Sequence, residues 1–288
     1  METSELLKKV RKIEIKTRGL SKNIFAGEYH SAFKGRGMTF AEVREYQYGD
    51  DIRSVDWNVT ARFGHPYIKV FEEERELTVV LLIDVSGSRE FGTVSQLKKD
   101  IFTEVAATLA FSTIQNNDKI GVIFFSDKIE KFIPPKKGKS HILRIIRDLI
   151  EFKPEHKKTD IKLALKYLTN VIKKRSIAFV ISDFMDDNSF IDALKIANKK
   201  HDLVALRIYD KRELEIPDMG LVKMMDAETG VLQWIDTSDK NVRIQFAVAA
   251  KEKELLLKET FKKSGVDSAD INTADSYIKP LMNLFKKR

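Results

Sequence analysis

Residues 77–88 read LTVVLLIDVSGS. The uncharged run Leu77–Ile83 is rich in valine, leucine and isoleucine, and it stops at Asp84. A strand with one wet face alternates apolar and polar residues. A continuous apolar run of this length belongs to a strand buried on both faces, as in a parallel sheet covered by helices. The same pattern returns at Ile177–Ser182 (IAFVIS), again followed by an aspartate, Asp183, and at 203–208 (LVALRI). Between the first two runs, Leu97, Ile101, Val105 and Leu109 recur every fourth residue, the spacing of a helix over 96–115. Strands alternating with amphipathic helices predict an α/β fold with a doubly wound, mostly parallel sheet in Rossmann-type layering.

Moving toward the C-terminus, Ile120–Phe125 reads as a strand, with Lys128–Ile133 its hairpin partner across Ser126-Asp127, stopped by Pro134-Pro135. Ser140 is expected to cap a helix reaching about Phe152, and Thr159 or Asp160 to begin another ending near Lys174. A helix over 189–200 follows. Strand-like pieces at 220–226 and 231–236 flank the turn Glu228-Thr229-Gly230. A long helix over about 241–264, Gly265, a short strand near 269–273 and a terminal helix over about 275–286 complete the chain.

Moving toward the N-terminus, the texture changes. Residues 29–76 hold Gly35, Gly37, Gly49, Gly64, Trp57 and a dense set of mixed charges without a clean period, the pattern of loops and short strands. Residues 1–28 read as a helix and a turn, with Leu6, Leu7, Val10 and Ile13 near helical spacing. The expected organisation is therefore an extension over 1–76 and an α/β domain over 77–288.

Composition narrows the function. With 288 residues, 43% of them hydrophobic, the chain can bury a substantial core. It has no cysteine, which excludes disulfides, thiolate metal sites and cysteine nucleophiles. Val105–Asn117 is the longest uncharged run, and both it and Leu77–Ile83 are short of the ~20 residues a membrane span needs. The first 22 residues carry seven scattered cations and no apolar segment, so no secretory signal is expected and a cytoplasmic location follows. The net charge of +8, from 51 basic and 43 acidic residues, is spread along the chain apart from small clusters at Lys136, Lys137, Lys139 and Lys286, Lys287, Arg288. A solvated lysine-rich surface accounts for it, and no motif for a specific nucleic acid accompanies it.

Open α/β sheets bind ligands at the carboxyl ends of their strands, where strand order reverses. Three features converge there: Asp84-Val85-Ser86-Gly87-Ser88 after the first buried strand, Thr159 before a helix, and Asp183 after the 177–182 strand. Two carboxylates and three hydroxyls form an all-oxygen set suited to Mg²⁺, Mn²⁺ or Ca²⁺. Ser86 and Ser88 alternate with Val85 and Gly87, so one tight turn can aim both hydroxyls the same way. A strand-end turn with capping serines is the plain alternative for Asp84-x-Ser-x-Ser.

This set resembles the metal-ion-dependent adhesion site of von Willebrand factor type A domains. The resemblance implies that Ser86, Ser88 and Thr159 approach the metal directly. It also implies that Asp84 and Asp183 assist through water and that one coordination position stays open for a partner's carboxylate. Lys157-Lys158 stands before Thr159 where that family shows a flexible glycine pair, and two cations beside a metal are expected to weaken its binding. A second resemblance lies upstream. Phe33-Lys34-Gly35-Arg36-Gly37, Phe40, Arg44-Glu45-Tyr46, Gly49-Asp50-Asp51-Ile52-Arg53, Asp56-Trp57, Ala61-Arg62 and Glu74-Arg75-Glu76 are similar to the signature of the bacterial domain of unknown function 58 family. That family joins such a string to a von Willebrand A-like domain. The resemblance implies a neighbouring MoxR-type AAA+ ATPase as partner. Within 33–76, a charge-paired structural cap is expected, with Arg44, Arg53, Arg62 and Arg75 pairing Asp50, Asp51, Asp56 and Glu74, and Trp57, Tyr46 and Tyr48 as packing residues.

Enzyme motifs are missing. Gly138-Lys139-Ser140 would end a phosphate-binding loop only with glycine at 133, where Ile133 stands. A phosphotransferase built on Asp84 would want a second acid where Ser86 stands. Gly35-Arg36-Gly37 follows no buried strand, and no Gly-x-Ser-x-Gly elbow occurs. His30, His65, His141, His156 and His201 show no ligand spacing and are expected at the surface. The expected function is a non-enzymatic, metal-dependent protein-binding module. Its partner would be a MoxR-type ATPase or a client supplying a carboxylate. A nucleic-acid-binding protein is one alternative. A metal-assisted hydrolase with Asp160 or Asp186 as base is the other.

Overall fold

The computed structural model describes residues 10–11, 13–14, 38–73, 77–90, 97–186, 188–225 and 231–288. It divides into two compact units, Lys34–Leu77, and Thr78–Arg288 together with Met1–Phe33.

The larger unit is built on a six-stranded sheet. Its strands are β3 (Thr78–Asp84), β4 (Lys119–Phe125), β5 (Ile129–Lys136), β6 (Ile177–Ser182), β7 (Asp202–Tyr209) and β10 (Asp267–Asn272). They lie in the order β10-β7-β6-β3-β4-β5. Every neighbouring pair is parallel except β4 and β5. The continuous apolar runs are central, as their composition requires: Val79 to Ile83 are fully buried, and so is β6. Residues of alternating parity serve opposite faces of the sheet. Val80, Leu82, Ala178 and Val180 pack with Ile161, Leu165 and Leu168 of helix α4 (Ile161–Val171) and with Leu194 and Ala197 of helix α5 (Ile191–Lys200). On the other parity, Phe179 meets Phe285 of helix α7 (Ile278–Lys287) edge-on at 6.3 Å. Helix α2 (Lys98–Gln115) is apolar on most sides and correspondingly buried from Ile101 to Phe111. The doubly wound, mostly parallel sheet is thus present. From β3 the chain crosses to β4 on one side, and β6 later inserts on the other. The carboxyl end of β3 is the point where strand order reverses.

Several local expectations are corrected. Pro134 and Pro135 do not stop the hairpin; they lie inside β5. That strand is the sheet's edge, where a missing N–H costs no ladder bond. A Cβ on Gly121 would stand 2.9 Å from the Pro135 ring, so the glycine makes room for the proline. Ser140 is not a cap: helix α3 (Lys139–Glu151) starts one residue earlier behind Gly138, whose φ of 101° only glycine adopts readily. Leu97 stands just outside α2 and is exposed. His201 is fully buried, its Nδ1 2.9 Å from Ser176 Oγ. Burial, aided by nearby Lys200 and Arg175, pulls it down to about 4 and so keeps it neutral. The strand-like pieces are the hairpin β8 (Leu221–Met225) and β9 (Leu232–Asp236). The long helix is α6 (Lys240–Ser264), ended by Gly265 in the left-handed conformation. The N-terminal helix falls mostly outside the described residues; Val10, Arg11, Ile13 and Glu14 are helical.

The smaller unit pairs β1 (Met38–Glu45) with β2 (Tyr67–Glu73) antiparallel. Between them stands a helix the sequence did not announce, α1 (Trp57–Phe63), whose N-terminal amides bond the Asp56 carboxylate. The expected packing role of Trp57 and Tyr48 does not hold. Trp57 is 70% exposed and Tyr48 lies wholly in solvent, while Tyr46 is half-buried. Of the expected ion pairs, Arg44–Asp50 forms, with two bonds of 2.9 and 2.7 Å. Asp56 pairs instead with Lys69 at 3.5 Å, and Asp51 accepts the Arg53 backbone amide. Arg75 and Glu74 lie outside the described residues.

Candidate metal centre

Asp84 ends β3 at the switch point, with Val85 anchored through its amide to the Phe125 carbonyl at the end of β4. The chain then turns tightly. The Asp84 Oδ1 accepts the Ser86 amide at 2.9 Å, and a short 3₁₀ turn over Gly87–Glu90 follows. This brings the Ser86 and Ser88 hydroxyl oxygens to 3.2 Å from each other. Thr159 arrives from a distant loop held by two backbone bonds, Gly87 N–H to the Lys157 carbonyl (2.9 Å) and Asp160 N–H to the Ser126 carbonyl (3.0 Å). Its hydroxyl lies 3.5 Å from Asp84 Oδ2. Asp183 follows β6, the strand beside β3, and its carboxylate accepts the Met185 amide at 3.1 Å. All five residues expected from the sequence are therefore gathered at one sheet edge. Asp84, Ser86, Thr159 and Asp183 are buried and Ser88 is half-buried.

Three further residues belong to the cluster. Ser182 donates its hydroxyl to Asp84 Oδ2 at 2.6 Å. Lys98, at the first turn of α2 and fully buried, places its Nζ 3.0 Å from Asp183 Oδ2. The same Nζ also contacts Glu213, on the turn after β7. Ser182 was legible as the neighbour of Asp183 at a strand end. Lys98 and Glu213 stand 85 and 30 positions from Asp183, and no local pattern marks either. Lys157 and Lys158, the cations the sequence singled out, are exposed. The cation that reaches the acids is Lys98.

The two carboxylates have different electrostatic positions. Burial, then the charge of Asp183, pushes the Asp84 carboxyl up to about 6, against the bonds from Ser182 and Ser86. Burial works on Asp183 in the same direction, but the Lys98 ammonium, the Ser88 hydroxyl and the Met185 amide override it and hold the group below its ordinary value. Phe184, next to Asp183, has a φ of +59°. A bulky residue in that region carries strain that the surroundings must impose, and such strain gathers at functional sites. Here the Phe184 ring is fixed between Phe190 and Phe261, and its amide bonds Ser182 Oγ.

The donor set fits a divalent cation. Six oxygens around Mg²⁺ or Ca²⁺ at ordinary ligand distances stand about 2.9–3.6 Å apart along the octahedron's edges. The two serine oxygens, at 3.2 Å, fall inside that range. Among the described residues no three His, Cys, Asp or Glu side chains are placed to hold one metal ion between them, so the set is one of neutral hydroxyls with two acids rather than a carboxylate cage. Asp160 and Asp186, the candidate bases, are occupied otherwise. Asp160 caps α4 through the Leu163 amide, and Asp186 accepts the amides of Ile161 and Asn188.

Comparison with known proteins agrees with this architecture. The family model described as "Protein of unknown function DUF58" matches residues 42–255, and the chain belongs to that family. The uncharacterized protein Rv1480 of Mycobacterium tuberculosis is 27% identical over 290 residues, covering 100% of this chain and 91% of that protein. The uncharacterized protein YeaD of Bacillus subtilis is 29% identical over 109 residues, 38% of this chain and 25% of that protein. Among solved structures, an aerotolerance-related membrane protein from Bacteroides fragilis superposes with a TM-score of 0.50 at 15% identity, covering 74% of this chain and 100% of that one. The shared fold is von Willebrand factor type A-like. Among the described residues of this chain, no helix is long and apolar enough to cross a membrane.

Proposed function

We propose that this member of the DUF58 family is a non-enzymatic, metal-dependent protein-binding module. In this reading Asp84, Ser86, Ser88, Thr159 and Asp183 hold Mg²⁺ or Mn²⁺, with Ca²⁺ the larger alternative. The carrying observation is the convergence of two buried acids with three hydroxyls at the strand-order switch, one acid buried at an electrostatic cost. A carboxyl buried at such a cost, in a cluster of oxygen donors at a strand-order switch, makes the cluster a candidate ligand site. A metal held largely by neutral oxygens remains electron-poor and accepts a further carboxylate. A partner's aspartate or glutamate would complete the shell. The non-catalytic reading is supported by the occupation of Asp160 and Asp186 in helix capping.

The partner we nominate is a MoxR-type AAA+ ATPase or its client in the cytoplasm, on the resemblance of the 33–76 string. The test is capture of such an ATPase from the native lysate, with and without chelator, followed by titration of the purified pair. Chelation, Asp84→Ala, or Ser86→Ala with Ser88→Ala should each weaken binding at least about tenfold, on the order of 1.4 kcal/mol. Capture indifferent to chelator and to Asp84→Ala refutes the metal bridge. Metal-dependent turnover of a substrate, lost with Asp84, refutes the non-enzymatic reading.

A further inference from the structure

A lysine inside a site built for a cation needs a reason. Lys98 is fully buried, its ammonium 3.0 Å from Asp183 Oδ2, and no solvent reaches it. Burial of a lone ammonium is costly, and the protein offsets it with two acids, Asp183 and Glu213. Glu213 is itself fixed. Its carboxylate accepts the Asp210 amide at 3.0 Å, and Asp210 caps the same turn through the Arg212 amide while receiving the Thr273 hydroxyl at 2.9 Å. The lysine is thus held by a turn that is itself hydrogen-bonded.

The charges in this cluster match one divalent cation. Asp84, Asp183 and Glu213 contribute three negative charges once ionised, and Lys98 one positive, leaving two negative. Lys98 touches a proposed metal ligand, Asp183, whereas Glu213 touches Lys98. Removing both members of the pair therefore takes away the positive charge in contact with Asp183, together with the negative charge that meets that lysine. Removing Glu213 alone leaves the positive charge against Asp183 unopposed.

We propose that Lys98 and Glu213 form a charge-setting pair for the metal centre. Lys98 is a resident counter-charge that competes with the divalent cation for Asp183, and Glu213 limits that competition. The inference rests on the metal-binding reading above. Its consequence is a site that keeps its shape without metal and binds it weakly enough to release it. Because the pair is buried, salt should screen its effect little.

The experiment is calorimetric titration of the full chain with Mn²⁺ alone, at low and high salt. Glu213→Gln should weaken Mn²⁺ binding at least about tenfold, and Lys98→Met with Glu213→Gln should tighten it at least about tenfold, at either salt concentration. A purely structural pair predicts that both variants weaken binding, and that result overturns the proposal, as does an unchanged affinity in both. Should the Lys98→Met double variant not fold, Lys98→Gln with Glu213→Gln, which retains a hydrogen bond between the two side chains, decides by the same sign. Wild-type protein that binds Mn²⁺ while the variants fail the sign test overturns this inference alone. Wild-type protein that binds no Mn²⁺ overturns the metal centre with it.

Discussion

Replacing Asp84 by asparagine should stabilise the metal-free protein. The side chain is buried, and its pKa rises from 3.8 to about 6 because burial and the charge of Asp183 disfavour the anion. A folded-state pKa above the unfolded one means the folded chain holds a proton the unfolded chain has lost. The stability this gives is present at acid pH and disappears as pH rises through about 6. A rise of about two units corresponds to about 3 kcal/mol at neutral pH. Asparagine carries no charge and keeps the shape. Its carbonyl oxygen still accepts the Ser86 amide, and the Ser182 and Thr159 hydroxyls can turn to accept from its amide nitrogen. With some loss in those bonds, we predict Asp84→Asn to gain about 1–3 kcal/mol above pH ~7 in chelator, and close to nothing below pH ~4. At roughly 2–4 °C per kcal/mol for a chain of this size, thermal unfolding followed by circular dichroism resolves the effect. The variant should also lose the stabilisation that Mn²⁺ gives the wild type, about 2.7 kcal/mol at a hundredfold excess over the dissociation constant. An Asp84→Asn protein less stable than wild type at neutral pH, or a difference that does not vary between pH ~4 and ~7, refutes the reasoning: the carboxylate would then be a structural acceptor and not a group held ready for a cation.

Other expectations follow from single positions. His201 is buried and pulled down to about 4 from 6.5, so its contribution to stability is intact above about 6.5 and falls away toward 4; His201→Gln should reduce the acid-side loss of stability, measured by urea unfolding between those limits. Gly121→Ala should cost about 1–3 kcal/mol, because the new methyl meets the Pro135 ring at 2.9 Å, and a neutral result in chemical denaturation would show that the edge strand moves freely. Trp57→Ala should change stability by less than about 0.5 kcal/mol, since the ring is 70% exposed, and a larger loss would mean that the ring packs in solution. Lys157→Ser with Lys158→Ser should alter Mn²⁺ affinity less than about threefold at physiological salt, because both side chains are exposed and screened; a larger change would return them to the site.

The layout of the sheet was legible because its strands are buried on both faces. Such strands are apolar at nearly every position, as Leu77–Ile83 and Ile177–Ser182 are apart from Thr78 and Ser182, so the sequence marks them without an alternating period. The convergence of the five residues was legible for a related reason: a parallel sheet places the residues after its strands at one edge, and Asp84 and Asp183 follow adjacent strands. What failed depended on the third dimension. Pro134 and Pro135 signal a stop in a central strand, and nothing in their neighbours says that β5 is an edge. Ser140 has capping chemistry, but Gly138 already supplies the backbone turn one residue before the helix begins. Trp57 carries the composition of a core residue and occupies an exposed first turn of a helix capped by Asp56.

His201 and Lys98 show the limit most sharply, since both are polar residues whose burial is decided by partners far along the chain. His201 is neutral because burial, aided by the charges of Lys200 and Arg175, disfavours its charged form, and Ser176, 25 positions away, meets its Nδ1 at 2.9 Å. Lys98 is charged because Asp183 and Glu213 converge on it from two other strand ends. Burial pushes both the histidine and the lysine toward their neutral forms, and at Lys98 the two carboxylates that meet it override that effect and keep it charged. Composition counts a lysine as surface, and here the count misleads at the position nearest the chemistry. The two expectations about cations near Thr159 and about acids at the strand ends therefore converge on one residue that neither contained. If the sign test on Lys98 and Glu213 succeeds, the affinity of this centre is set by α2 and the turn after β7, and not by the loop that carries Thr159.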